Sequence, residues 1–171
     1  MTAIPLLRRA RTTYKIRRAA MEKKFYTTFA GWKDIDFNQH MRNTAFLEKI
    51  DDVRLMFFTD NGFSMREFAR LRIGPVVFRD EVDYMKEVNL LDEIKVTIAT
   101  GGLSEDVSHY IIRNEMFRAD GKMTARVTSH GTWFDLVERK IVAPPKELAS
   151  IFQALPKTED YKDLPSAIKK I

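Results

Sequence analysis

The chain of 171 residues contains no cysteine, which removes disulfides, thiolate metal sites and a cysteine nucleophile together. Histidine is almost as scarce. His40, His109 and His130 are the only three, and none stands at a metal-ligand spacing from another, so no metal centre is expected. No apolar run approaches the ~20 residues needed to span a bilayer, and no apolar signal-peptide core is visible. The simplest compartment on these grounds is the cytoplasm. The length suits one domain, large enough to bury a core without covalent staples.

Acidic residues are missing from one end only. The first 24 residues hold eight Lys or Arg against the single acid Glu22, whereas the remaining 21 basic residues face 23 acids. The net charge of +5 therefore belongs to a leader, and the body is nearly neutral, which argues against a nucleic-acid binder. Three readings of residues 1–20 stand: a solvated tail ahead of a start at Met21, a basic amphipathic segment touching a membrane or partner, or an Arg-rich organellar presequence. The expected organisation is a basic extension over 1–20, a folded domain over 21–156 and a charged tail over 157–171.

What is present is ordered by period. Phe25 to Trp32 alternates as a strand. From Asn43 to Thr59, Phe46, Ile50, Val53 and Phe57 recur at helical spacing, and Asn61-Gly62 stops the helix. Ser64 followed by Glu67 is a capping box opening a short helix through about Leu71. Gly74-Pro75 should break the chain, and Val76 to Val142 reads as four long strands. Gly101-Gly102 marks a bulge in that run, and Asp120-Gly121 a tight hairpin. After Pro144-Pro145, Lys146 to Leu155 reads as a last helix. One largely apolar helix among strands must be wrapped by the sheet, which predicts an α+β fold with a curled antiparallel sheet around a long central helix.

Chemistry concentrates in Asp34-Ile35-Asp36-Phe37-Asn38-Gln39-His40-Met41-Arg42-Asn43-Thr44-Ala45-Phe46. Two carboxylates, an imidazole and amides feed into a helix N-terminus, whose unpaired N–H groups and positive dipole end could hold an oxyanion. A carboxylate just upstream could attack a carbonyl or take a proton from water. Helix capping and turn formation would also favour such residues here.

This stretch resembles the hot-dog-fold thioesterase signature, often D-x-D-x-x-G-H-V-N-N-x-x-Y, as found in the 4-hydroxybenzoyl-CoA thioesterase-like and the plant acyl-acyl-carrier-protein thioesterase branches. The resemblance extends through Asp51 and Arg54, Tyr84, Asp92-Glu93-Ile94, Thr124-Ala125 and Pro144 to Leu148, and so covers about Phe25 to Leu148. It implies hydrolysis of an acyl thioester with Asp36 as general base or nucleophile. Asn38 and His40 fall on the plant-type asparagine and histidine. The backbone N–H of Asn43 falls where the thioester carbonyl is polarised, and Glu87 lies near a plant-type glutamate.

The departures are Gln39 for glycine, Arg42 for the first asparagine of the pair, Phe46 for tyrosine and Glu87 for a proline common in bacterial members. Arg42 brings a permanent cation to the site, able to pair with Asp36 or to hold a substrate phosphate or carboxylate. Ser129, in the fourth long strand, is a further candidate to line the site. Asp51 is expected to pair with Arg54. The resemblance also implies a homodimer or a dimer of dimers. It implies no cofactor beyond coenzyme A or acyl carrier protein as part of the substrate. The rivals are a non-catalytic module that binds acyl-CoA or serves as an assembly partner, and an acyl-thioester hydratase or dehydratase.

Overall fold

A computed structural model describes residues 24–168 of the chain; the basic leader over 1–20 lies outside the described residues. The first strand, β1 (Phe25–Phe29), is shorter than its alternation suggests. It is cut off where a 3-10 turn, Trp32–Asp34, takes over. That turn closes because the Asp34 carboxylate accepts the Gly31 N–H at 2.7 Å.

Helix α1 (Asn43–Asp60) follows, and its buried positions Phe46, Ile50, Val53 and Phe57 form the expected stripe. The opposite side is not enclosed, since Leu55 and Met56 are each 41 % exposed. Helix α2 (Met65–Leu71) begins at Ser64, whose side chain accepts the Glu67 N–H. The sheet is built from β2 (Ile73–Tyr84), β3 (Glu93–Ser104), β4 (His109–Arg118) and β5 (Met123–Asp135), in the order β1-β3-β4-β5-β2. A short β6 (Lys140–Val142) pairs with β5 before α3 (Lys146–Gln153).

Gly74-Pro75 does not break the chain. Both residues sit inside β2, opposite Phe134 and Trp133. β2 is the outer strand at that side of the sheet, where a proline's missing N–H need not cost a ladder bond. The bulge expected at Gly101-Gly102 is present as a register shift between Thr100 and Gly102. Asp120-Gly121 makes its turn with Gly121 at φ +78, a conformation glycine adopts without steric cost.

Residues 157–164, set aside above as part of a charged tail, instead form β7 (Lys157–Leu164), parallel to β3. Its charged side chains hide it from pattern reading, because the pairing is made by backbone, not by a buried face. Its approach explains Gly102: a Cβ there would lie 2.7 Å from the Lys162 carbonyl oxygen. The core packs α1 and α3 against the concave side of the sheet, with Trp133 edge-on to Phe58 and Phe152 and stacked on Phe68.

Candidate active site

The loop between the 3-10 turn and α1 is held from below. Asp34 is fully buried, and its carboxylate meets Lys49 Nζ from α1 at 2.7 Å. Burial pushes that carboxyl up, but Lys49 and the Gly31 N–H outweigh it and hold it below its ordinary value. The Asp34 carbonyl accepts the Arg42 N–H at 2.8 Å, and Met41 N–H reaches the Val88 carbonyl at 2.7 Å. Isolated bridges pair Ile35 with Met41 and His40 with Asn89. The loop is thereby clamped between α1 and the β2–β3 connection.

Asp36 sits at the crest of this clamped loop. Its Oδ1 accepts the Asn38 N–H at 2.8 Å and, more weakly, the His40 N–H at 3.4 Å. Its own N–H donates to the His40 carbonyl at 2.9 Å, and its carbonyl accepts the Gln39 N–H at 3.0 Å. Gln39 closes the turn at φ +64, the left-handed region, which accounts for glycine as the signature residue at this position. Asp36 Oδ2 has no partner among the described residues. The side chains of Asn38 and His40 are exposed and make no hydrogen bond among the described residues; it is their backbone that shapes the turn.

At the helix start, Arg42 is the N-cap and supplies no side-chain cap, and the first turn carries no acid. The Asn43 Oδ1 accepts the Thr44 N–H at 3.0 Å, while the Asn43 N–H donates to nothing among the described residues. The first turn of α1 thus holds no acidic side chain to offset the positive end of the helix dipole. Arg42 does not reach Asp36: its guanidinium bonds the Lys33 carbonyl, Thr44 Oγ1 and Glu48 Oε1, at 3.1, 2.5 and 2.9 Å.

Phe46 and Glu87 join Asn43 around a hollow of about 340 Å³ that Met41, Tyr84, Met85 and Lys86 complete. Phe46 is buried edge-on against Tyr84, with centroids 5.2 Å apart, and the Tyr84 hydroxyl donates to the Asn43 carbonyl at 3.2 Å. Tyr84 was legible only as a match to the signature; its contact with Asn43 spans 41 residues and has no local trace. Glu87 is exposed, and its carboxyl is lowered first by its own backbone N–H, against burial, and then by Arg118, His40 and Lys86. Ser129 stands apart from this group. It is bonded to Arg54 and to Asp80. Asp51 does pair with Arg54, at 3.5 Å, as its spacing suggested.

The residues from 30 to 152 match the model of the thioesterase-like superfamily. No curated protein matches the chain in a sequence comparison. Among solved structures, a Staphylococcus aureus protein crystallised in complex with CoA superposes at a TM-score of 0.70, with 20 % identity over 89 % of this chain and 93 % of that one. A 1,4-dihydroxy-2-naphthoyl-CoA thioesterase from Synechocystis superposes at 0.68, with 14 % identity over 75 % and 94 % of the two chains. A DHNA-CoA thioesterase from Staphylococcus aureus gives 0.67, with 15 % identity over 76 % and 86 %. At these identities the solved structures speak for the fold, a curled sheet on a central helix, and the family match spans most of the chain. The protein belongs to the thioesterase-like superfamily and has its hot-dog fold.

Proposed function

We propose that the protein hydrolyses an acyl thioester to a free acid and a thiol, with Asp36 as its central carboxylate. The observation that carries this reading is that one clamped loop holds both a carboxylate oxygen, Asp36 Oδ2, and a backbone N–H, that of Asn43, which have no partner among the described residues. Asp36 either takes a proton from water as it attacks the carbonyl, or attacks directly, expelling the thiolate to give a mixed anhydride that water then hydrolyses to free acid and restored Asp36. The carbonyl oxygen then gathers negative charge, which the Asn43 N–H and the uncapped end of α1 stabilise. A thiolate leaves without help from a strong acid. Asn38 and His40, whose side chains make no hydrogen bond among the described residues, orient water or substrate, and the hollow beside Glu87 and Phe46 receives the groups around the thioester.

The thiol carrier is coenzyme A or an acyl carrier protein. The working form is a homodimer or a dimer of dimers. In support, β2 is an outer strand and carries Phe78 at 60 % exposure beside half-exposed Val76 and Val77, an edge that a second copy would cover.

The test is thiol release from a panel of acyl-CoAs, wild type beside Asp36→Asn. The expected loss is about 100-fold or more in rate, the scale of a general base, with the melting temperature unchanged. An undiminished rate in the folded variant removes Asp36 from the mechanism. Thermal protection by acyl-CoA without thiol release from any substrate transfers the assignment to a binding module.

A further inference from the structure

The three most exposed large apolar side chains among the described residues are Phe37 at 94 %, Trp32 at 83 % and Leu91 at 74 %. Leu91 is distant in sequence from the other two, yet all three stand on backbone that is bonded together. Trp32 opens the 3-10 turn, Phe37 follows it in the Asp36 loop, and the Leu91 N–H donates to the Ala30 carbonyl at 2.8 Å. The bridge between His40 and Asn89 ties the same two segments a second time. Single exposed apolar residues are ordinary, but a group of them on one rim marks a surface that meets something apolar.

Leu91 stands at φ +67, in the left-handed region that leucine adopts only at a cost and that glycine or asparagine enters readily. Neither backbone preference nor burial accounts for a leucine there, and a residue that breaks both local rules points to function. None of the three lines the hollow beside Asn43. At such exposure they project from the surface instead of enclosing a ligand.

A second signal reaches the same region through the chain. The leader carries eight Lys or Arg against one acid up to Lys24 and runs straight into β1. Phe25 and Phe29 are half-exposed along that strand, which leads to Ala30 and the rim. At the rim itself the charges balance, with Lys33, Arg42 and Lys95 against Asp36, Asp92 and Glu93. The rim therefore attracts by apolarity and the leader by charge.

These two signals select the partner. A polyanion such as nucleic acid would use the leader alone. A second copy has the β2 edge, which stands at the other end of the strand order from β1. An anionic bilayer uses both, because aromatic and apolar side chains enter the headgroup layer without a pre-formed pocket while basic residues meet acidic headgroups. Two such signals hold a peripheral protein where one does not. No helix among the described residues is long and apolar enough to cross a bilayer, so their contact is with its surface. We propose that the rim of Trp32, Phe37 and Leu91, together with the basic leader, docks the protein on an anionic phospholipid surface. Asp36, one residue before Phe37, is thereby brought to the bilayer, where amphiphiles with an apolar chain collect. The docking does not rest on the hydrolytic reading, and its assay measures no turnover.

The chain has two tryptophans, and Trp133 is wholly buried, so Trp32 reports changes at the surface. The experiment mixes the full chain with vesicles of phosphatidylcholine, with or without phosphatidylglycerol, and follows tryptophan emission and cosedimentation. Phosphatidylglycerol vesicles should shift the emission to the blue, shield it from acrylamide and bind at least about tenfold more tightly than phosphatidylcholine alone, less so at high salt. Phe37→Ser combined with Leu91→Asn should weaken binding about tenfold. Its melting temperature should stay level or rise, because asparagine suits the left-handed backbone. Exchanging the six basic residues of 1–20 for glutamine should remove most of the preference for phosphatidylglycerol. Cosedimentation that leaves the Trp32 emission unmoved would mean that the leader binds alone, and would overturn the proposal. Absence of vesicle binding, or binding as tight as wild type in either variant, would overturn it too. Trp32 shielded from acrylamide without lipid, increasingly with protein concentration, would give the rim to a second copy and overturn it as well.

Discussion

Asp34 and Lys49 form an ion pair at 2.7 Å in which the carboxylate is wholly enclosed and the lysine is 8 % exposed. Two residues further on, Asp36 keeps one oxygen without a partner among the described residues. The two acids of the D-x-D sequence thus have opposite environments, one spent on anchoring the loop to α1 and the other left available for chemistry.

Removing Lys49 should therefore damage the fold more than the chemistry. Lys49→Met leaves a buried carboxylate without its cation and should cost about 3–5 kcal/mol, measured by urea unfolding. Pairing it with Asp34→Asn should recover much of that loss. A Lys49→Met protein as stable as wild type would show that the pair does not anchor the loop.

Gln39 carries a side chain in the left-handed region, at φ +64. Gln39→Gly should relieve a penalty of roughly 1–2 kcal/mol, partly offset by the greater freedom of glycine in the unfolded chain. A net gain near 1 kcal/mol corresponds to about 2–4 °C in Tm for a chain of this size. Calorimetry showing a lower Tm would mean that the Gln39 side chain contributes more than its backbone costs.

Tyr84 lines the hollow beside Asn43 and bonds the Asn43 carbonyl through its hydroxyl. Tyr84→Phe deletes the hydroxyl that donates to the Asn43 carbonyl at 3.2 Å, at a stability cost of about 0.5–1.5 kcal/mol. If the proposed hydrolysis holds, kcat should fall several-fold while KM stays nearly level, because what loosens is the position of the oxyanion donor. A change confined to KM would assign Tyr84 to substrate binding instead.

The segment after β7 is pinned at Asp106, which accepts from the hydroxyls of Ser104, Ser108 and Ser166 and from the Ser108 N–H. Burial raises this carboxyl, but those bonds prevail and bring it from 3.8 to about 2. A depressed carboxyl contributes stability above its unfolded pKa and loses it as pH falls through the folded value. The segment after β7 should accordingly loosen between about pH 4 and pH 2, seen as faster hydrogen exchange at the Ala167 amide, which donates to Ser108 Oγ. Asp106→Asn should exchange quickly throughout and show no such step.

Much of this architecture is local in origin. The stripe of Phe46, Ile50, Val53 and Phe57 produced α1 within a residue of its expected ends, and Ser64 with Glu67 placed α2, because capping and helical period act over a few residues. Gly121 was legible as a turn for the same reason. The D-x-D-x-N-x-H stretch could be singled out as a candidate site, and the loop it forms does adjoin the start of α1. Pro75 misled because its effect depends on whether its strand has neighbours on one side or two. β7 was missed because a largely charged edge strand held by backbone bonds leaves no hydrophobic period.

The sequence alone determined the helices, the turns, the bulge glycines and the family signature, since each is written in adjacent side chains. Only the tertiary structure decided which of two neighbouring acids is buried, that Arg42 turns to Glu48 and away from Asp36, and that Ser129 joins Arg54 and Asp80. Those outcomes depend on contacts between residues dozens of positions apart. Burial, pairing and the charge that a side chain faces are properties of the packed chain, and no local window contains them.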